Sequence, residues 1–134
     1  MEADTLRGYD RVRDHSPAHV NTRIDRRTEE SLEQTLRAGS RAIATRLAEL
    51  DKEWNVDRAL MLTFSALGNI VHELEVRHDR RWGWLLRVQM AFMGIHAAVG
   101  WCPPIAVLRR LGFRTQQEID AERALLLRAI EARR

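Results

Sequence analysis

The 134-residue chain has one cysteine, Cys102, one lysine, Lys52, three prolines and seven glycines. A single cysteine excludes an intrachain disulfide and any cysteine-rich zinc site. Prolines at 17, 103 and 104 alone leave long stretches without a strong helix breaker, so the chain reads as all-α. There is no phosphate-binding loop, no catalytic triad and no carboxylate pair poised for acid–base work. Neither an enzyme nor a bound cofactor is therefore expected. The opening stretch "MEADTLRGYDRVRDHSPAH" is polar throughout, which predicts no secretory signal.

Lysine being almost absent, the positive charge is carried by arginine, and the formal net charge is +3. The arginines are mixed with Asp and Glu along most of the chain, and no segment interleaves basic with aromatic residues. Such mixing describes solvated helix faces rather than a nucleic-acid surface.

Residues 1–21 show no hydrophobic periodicity and are expected to be a flexible polar tail, followed by a single helical domain over 22–134. From about 22 to 54, Leu32, Leu36, Ile43, Leu47, Leu50 and Trp54 form a narrow stripe on one long amphipathic helix, with Gly39 and Ser40 in its gap. Narrow stripes on outer helices call for partners, so a homo-oligomer or a place in a larger assembly is expected.

A second helix is expected to start near Asp57. Its stripe is Leu60, Phe64, Leu67, Val71 and Leu74, and Ser65, Asn69, His72 and Glu73 collect opposite. "VRHDRRWG" supplies a polar turn near Asp79. From Trp82 to Trp101 only Arg87, Gln89 and His96 are strongly polar, and a helix so apolar all round is normally buried in protein or lipid. The two segments predict a central antiparallel helical hairpin over 57–101. Pro103 and Pro104 must then break the chain. "IAVLRRLG" predicts a short helix with Gly112 as its C-cap, and Thr115 with Glu118 has capping-box spacing for a last helix over about 116–133.

The hairpin raises the choice between lipid and water. A bilayer core needs roughly 20 apolar residues. Residues 59–71 are too few, whereas 88–108 contain only Gln89 and His96 as strong polar groups but are interrupted by two prolines. Trp82 and Trp101 bracket the third segment, as aromatic belts do at membrane faces. Arginines precede and follow the hairpin in greater number than they occupy its turn, which favours both termini in the cytoplasm if it spans.

Asp57, Arg58, Trp82, Gly100, Cys102 and Pro103, with the run "HAAVGWCPPIAVLRRLGFRTQQEIDAER" from His96 to Arg123, resemble the YgaP-like transmembrane domain family over about residues 57–123. The resemblance implies a small two-helix hairpin of the bacterial inner membrane, without a settled activity to carry over. His72, Glu73, Glu75 and Arg87 depart from the more apolar pattern of that family. The expected function is a small non-enzymatic membrane-associated protein, structural or accessory. The alternatives are a soluble cytoplasmic oligomer or adaptor, and a thiol-dependent sulfur or redox carrier.

Two sets of residues carry the site expectations. Cys102 would sit at or near the N-cap of the short helix, where a dipole lowers a thiol pKa; the plainer reading is a buried small residue in a Pro-Pro turn. Asn69 and His72 are expected to approach Gln89, and Ser65 to approach His96, in a polar seam that fixes the helix register. "HELEV" lacks the second histidine of a zincin, and His72 and His96 fall at levels roughly 13 Å apart, so no metal site is expected within one hairpin.

Overall fold

The computed structural model describes residues 8–133, all helix, turn or loop, with no strand among them. The order is α1 (Arg11–Asp14), α2 (Ala18–Ala38), α3 (Ser40–Leu50), α4 (Val56–Arg77), a 3-10 turn (Arg80–Trp82), α5 (Gly83–Val99), α6 (Pro103–Leu111) and α7 (Gln116–Glu131). The expected all-α class, central hairpin, Pro-Pro break and capped last helix are all present.

The helix ends are set by local chemistry. Asn55 accepts a hydrogen bond from the Arg58 amide and starts α4. Asp79 accepts from the Arg81 amide in the turn, and the chain reverses there so that α5 lies along α4. Gly100, in the left-handed region at φ 81°, ends α5. Cys102 is the N-cap of α6, whose first residues are the two prolines, and Gly112 at φ 100° closes it. Thr115 and Glu118 form the reciprocal capping box of α7.

Two expectations are overturned. The first is the single long helix: it is broken at Gly39, whose φ of 92° and ψ of −175° suit glycine alone, so α2 and α3 are separate helices that pack on each other. Ile43 and Leu50 of the expected stripe are buried, Leu32, Leu36 and Leu47 pack beside them, and Trp54 lies beyond the helix, 41% exposed. The second is the tail. Residues 8–21 are ordered, with α1 capped by Asp10, α2 begun at Ala18, and Val12 and Val20 buried; residues 1–7 of the expected tail lie outside the described residues.

The apolar interior is in two parts. One gathers Val12, Val56, Leu60, Phe64, Cys102 and Ile105, with Phe92, Met93, Leu108 and Phe113 against them. The other gathers Ile43, Leu50, Ile119 and Leu126 from α3 and α7, with residues of α2 against them. α1 straps over the end of α5. Arg11 donates from Nη1 to the Ala97 carbonyl at 2.6 Å, and its backbone lies so close to Gly100 that a β-carbon there would be 2.6 Å from Arg11 Cβ.

This closeness separates two glycines of the same backbone class. Gly112→Ala would meet only the flexible Arg27 guanidinium, at 3.4 Å, and should cost about 1–2 kcal/mol of left-handed strain. Gly100→Ala should cost a further ~1–3 kcal/mol, because it also collides with α1. Urea unfolding of both variants measures this, and equal losses would show that α1 does not rest on Gly100.

Candidate functional site

The expected polar seam is mostly not formed. Gln89 and His96 do face α4, but the residues they meet differ. Gln89, buried, donates from Nε2 to the Phe64 carbonyl at 2.6 Å, and a β-carbon on Gly68 would be 3.3 Å from that nitrogen. The glycine leaves the α4 backbone open to the amide. His96 Nε2 lies 3.3 Å from Asp57 Oδ1. Ser65, Asn69 and His72 are exposed instead. Asn69 donates to the Ser65 carbonyl of its own helix, and His72 lies 4.0 Å from Glu75. The face they share points outward because Gly68, not Asn69, is the α4 residue turned to Gln89. Gln89 Oε1 and His96 Nδ1 are buried without a hydrogen-bond partner.

Cys102 is fully buried in the first apolar core. Burial pushes its thiol up, against a smaller opposite effect of the Ile105 amide. The N-cap position anticipated from the prolines is therefore occupied, but the thiol is enclosed and its pKa is raised rather than lowered. Among the described residues, no group of three His, Cys, Asp or Glu side chains is placed to hold a metal ion.

The largest feature not anticipated is a buried network of ion pairs. Arg109 is 1% exposed and grips Glu118 with both terminal nitrogens, at 2.6 and 2.8 Å. Glu118 also accepts from Arg13 Nη1 at 2.9 Å and from the Thr115 amide at 2.9 Å, so both of its oxygens carry two donors. Arg13 turns its second nitrogen to Asp25, and Arg109 reaches Asn21 Oδ1 at 2.8 Å. Alongside, Arg114 holds Glu53 through two bonds of 2.7 Å and also donates to Glu122, which Arg46 grips from the other side. Asp10, buried, accepts from the Thr115 hydroxyl. Arg13 belongs to the strap, Arg109 to α6 and Glu118 to α7, so the network ties these three elements into one body. Glu118 is the carboxylate held on both oxygens by two donors each.

Burial by itself would raise the Glu118 carboxyl. The Arg109 hydrogen bonds and charge, the Thr115 amide and Arg13 outweigh it, and its pKa lies below the usual carboxylate range.

The hairpin presents the opposite chemistry. Met61, Leu62, Leu67, Ile70 and Val76 of α4 and Trp84, Val88, Met90, Ile95 and Val99 of α5 are exposed, Ile70 at 57%, Trp84 at 58% and Met90 at 52%. Arg87 is the only Asp, Glu, Lys or Arg within α5. Trp82 and Trp101 stand just outside the two ends of α5, both partly exposed. Among the described residues no single helix is long and apolar enough to cross a membrane. The segment 80–99 together with 103–131, bent by 68° at the break, passes by length and composition.

Comparison with known proteins gives no matching family model, curated protein or solved structure.

Three outcomes follow from this geometry. Glu118→Ala leaves the buried Arg109 guanidinium uncompensated and should cost about 3–5 kcal/mol in urea unfolding; a loss under 1 kcal/mol would show that the pair is not buried in solution. Glu118 has a folded pKa below its unfolded value of about 4.3, so the unfolded chain takes up this proton first as pH falls. Its stabilisation is present above that value and is lost progressively as pH drops through the lower folded value. The unfolding free energy of Glu118→Gln should accordingly fall less steeply over this acid range than that of the unaltered chain. Cys102 should react with iodoacetamide far more slowly than glutathione at pH 7 and at a comparable rate only in denaturant; native reaction as fast as glutathione would contradict its burial.

Proposed function

We propose that the chain is a small non-enzymatic membrane-associated protein, a structural or accessory subunit, whose α4–α5 hairpin sits in lipid while the ion-paired body stays in water. One observation carries this reading: ten large apolar side chains of α4 and α5 stand exposed. Full burial of such a side chain is worth about 1.5–3 kcal/mol, so removing the half-exposed surface of ten is worth on the order of 10 kcal/mol. That is comparable to the whole net stability of a domain. Exposed apolar side chains in this number mark a place where lipid or another protein belongs.

Charge placement supports lipid and sets its depth. Residues 59–72 of α4 contain no Asp, Glu, Lys or Arg, and neither do 88–101. The first stretch is about 21 Å long as helix, and the helical part of the second, 88–99, about 18 Å. Both are shorter than the ~30 Å hydrocarbon core, so a spanning hairpin requires local thinning and long side chains reaching outward. Arg77, Arg80, Arg81 and Arg87 at the tip are suited to that. With the richer arginine content outside the hairpin, both termini belong in the cytoplasm, and the family resemblance makes the membrane the bacterial inner one.

A second reading has its own observation. Ser65, Asn69, His72 and Glu73 are exposed on the outward side of α4, and groups of this kind suit a water-filled or helix-lined interface. In that reading the chain is a soluble cytoplasmic oligomer in which a second copy covers the hairpin.

Carbonate extraction of washed membranes separates the two. The membrane reading expects the chain to stay in the pellet, as an integral protein does. Complete release into the supernatant, with a dimer or larger species on gel filtration, would replace it with the soluble oligomer.

A further inference from the structure

We propose that α6 is an interfacial helix whose outward side lies along the headgroup layer of an anionic phospholipid surface, with Arg58 and Arg110 taking the lipid phosphates. The proposal rests on the lipid reading of the hairpin and adds to it a surface, a chemistry and a preference among lipids.

Geometry comes first. The chain bends by 68° between residues 80–99 and 103–131. If the hairpin stands along the membrane normal, the chain after Pro103 turns toward the membrane plane at the hairpin base. α6 is two-sided: Ile105 and Arg109 are buried, while Val107 and Leu111 are 54% and 68% exposed, and Arg110 is exposed beside them. An apolar strip with a cation at its edge, opening the segment that bends away from α5, is how an amphipathic helix rests at a bilayer surface.

The second observation joins α6 to the start of α4. Trp54 and Leu111 line one cleft, of about 180 Å³. The Arg58 guanidinium stacks over the Trp54 ring, 4.4 Å from its centroid. Trp101 stands at the other end of the base, where α5 stops. Tryptophan and arginine side by side at the limit of an apolar surface match the chemistry of the headgroup layer.

Charge complementarity then selects the occupant. Arg109 is paired with Glu118, and Arg114 with Glu53 and Glu122. Arg58 and Arg110 have no carboxylate partner among the described residues. Arg58 immediately precedes the charge-free stretch 59–72, so its cation stands where that stretch leaves the hydrocarbon. Two guanidinium groups without a carboxylate partner among the described residues can bind phosphodiester oxygens by charge-assisted hydrogen bonds, and each basic group near an anionic surface strengthens binding about fivefold.

The test is flotation of the full chain with vesicles of phosphatidylcholine alone, and of phosphatidylcholine mixed with phosphatidylglycerol. The unaltered chain should prefer the mixed vesicles. The double variant Arg58→Gln, Arg110→Gln should bind those about thirtyfold more weakly and the neutral vesicles unchanged. A control pair on the body, Arg23→Gln with Arg41→Gln, should lose little on either. Far-UV circular dichroism checks that both pairs keep their helices. Equal binding of the unaltered chain to both vesicle types, or equal losses in the two variant pairs, overturns the headgroup proposal while leaving the lipid reading standing. No flotation with either vesicle removes the lipid reading and this proposal with it; a soluble partner bound at Arg58 and Arg110 would give that result.

Discussion

The buried bond between Arg109 and Glu118 is the constraint on which the body depends. A guanidinium and a carboxylate withdrawn from water cost several kcal/mol each unless their remaining hydrogen-bonding groups are met. Here the second donors come from Arg13 in the N-terminal strap and from the Thr115 amide at the start of α7. The strap, the Pro-Pro helix and the last helix must therefore be in place together. The same logic repeats one turn along α7, where Glu122 is shared by Arg46 and Arg114. Two modest apolar cores are thus joined through charge rather than through a single large hydrophobic interior.

That arrangement makes the hairpin stand out. In the body, arginines and carboxylates pair with each other, while Val107, Leu111 and Leu127 stay exposed. Along α4 and α5 the two helices are held by Gln89 on the Phe64 carbonyl, by His96 beside Asp57, and by Leu60 and Phe64 in the core that Phe92 and Met93 pack against. The outer surface is left apolar with Gln89 Oε1 and His96 Nδ1 unpaired inside. The strap contributes too, since Arg11 donates to the Ala97 carbonyl of α5 and Gly100 admits its backbone.

Much of this was legible in the residues. Local signals served well: the polar turn near Asp79, the prolines opening α6, Gly112 closing it, and the Thr115–Glu118 capping box all describe neighbours within a few positions. What failed was long-range or set by backbone geometry. Gly39 was visible in the gap of the first stripe, yet the periodicity continued past it, and only a positive φ reveals the break. Residues 10–21 looked structureless because they are ordered by partners about a hundred positions away, Thr115 and Glu118. Arg109 read as part of a basic flank, since no local spacing links it to Glu118 and Arg13. The seam misplaced Ser65, Asn69 and His72 because a polar side was taken as the facing side, whereas a glycine, with no side chain to give a signal, makes the close approach.

The central claim is that the outer side of α5 lies in hydrocarbon. A nitroxide attached at Ala91→Cys, an exposed position on that side, in a chain whose own Cys102 is buried, tests it most directly. In membranes, relaxation by molecular oxygen should exceed relaxation by a water-soluble nickel chelate at that site, and the reverse should hold at a label on Arg41→Cys in the body. A label at 91 relaxed chiefly by the nickel chelate, or shielded from both reagents by a neighbouring helix, would contradict the account.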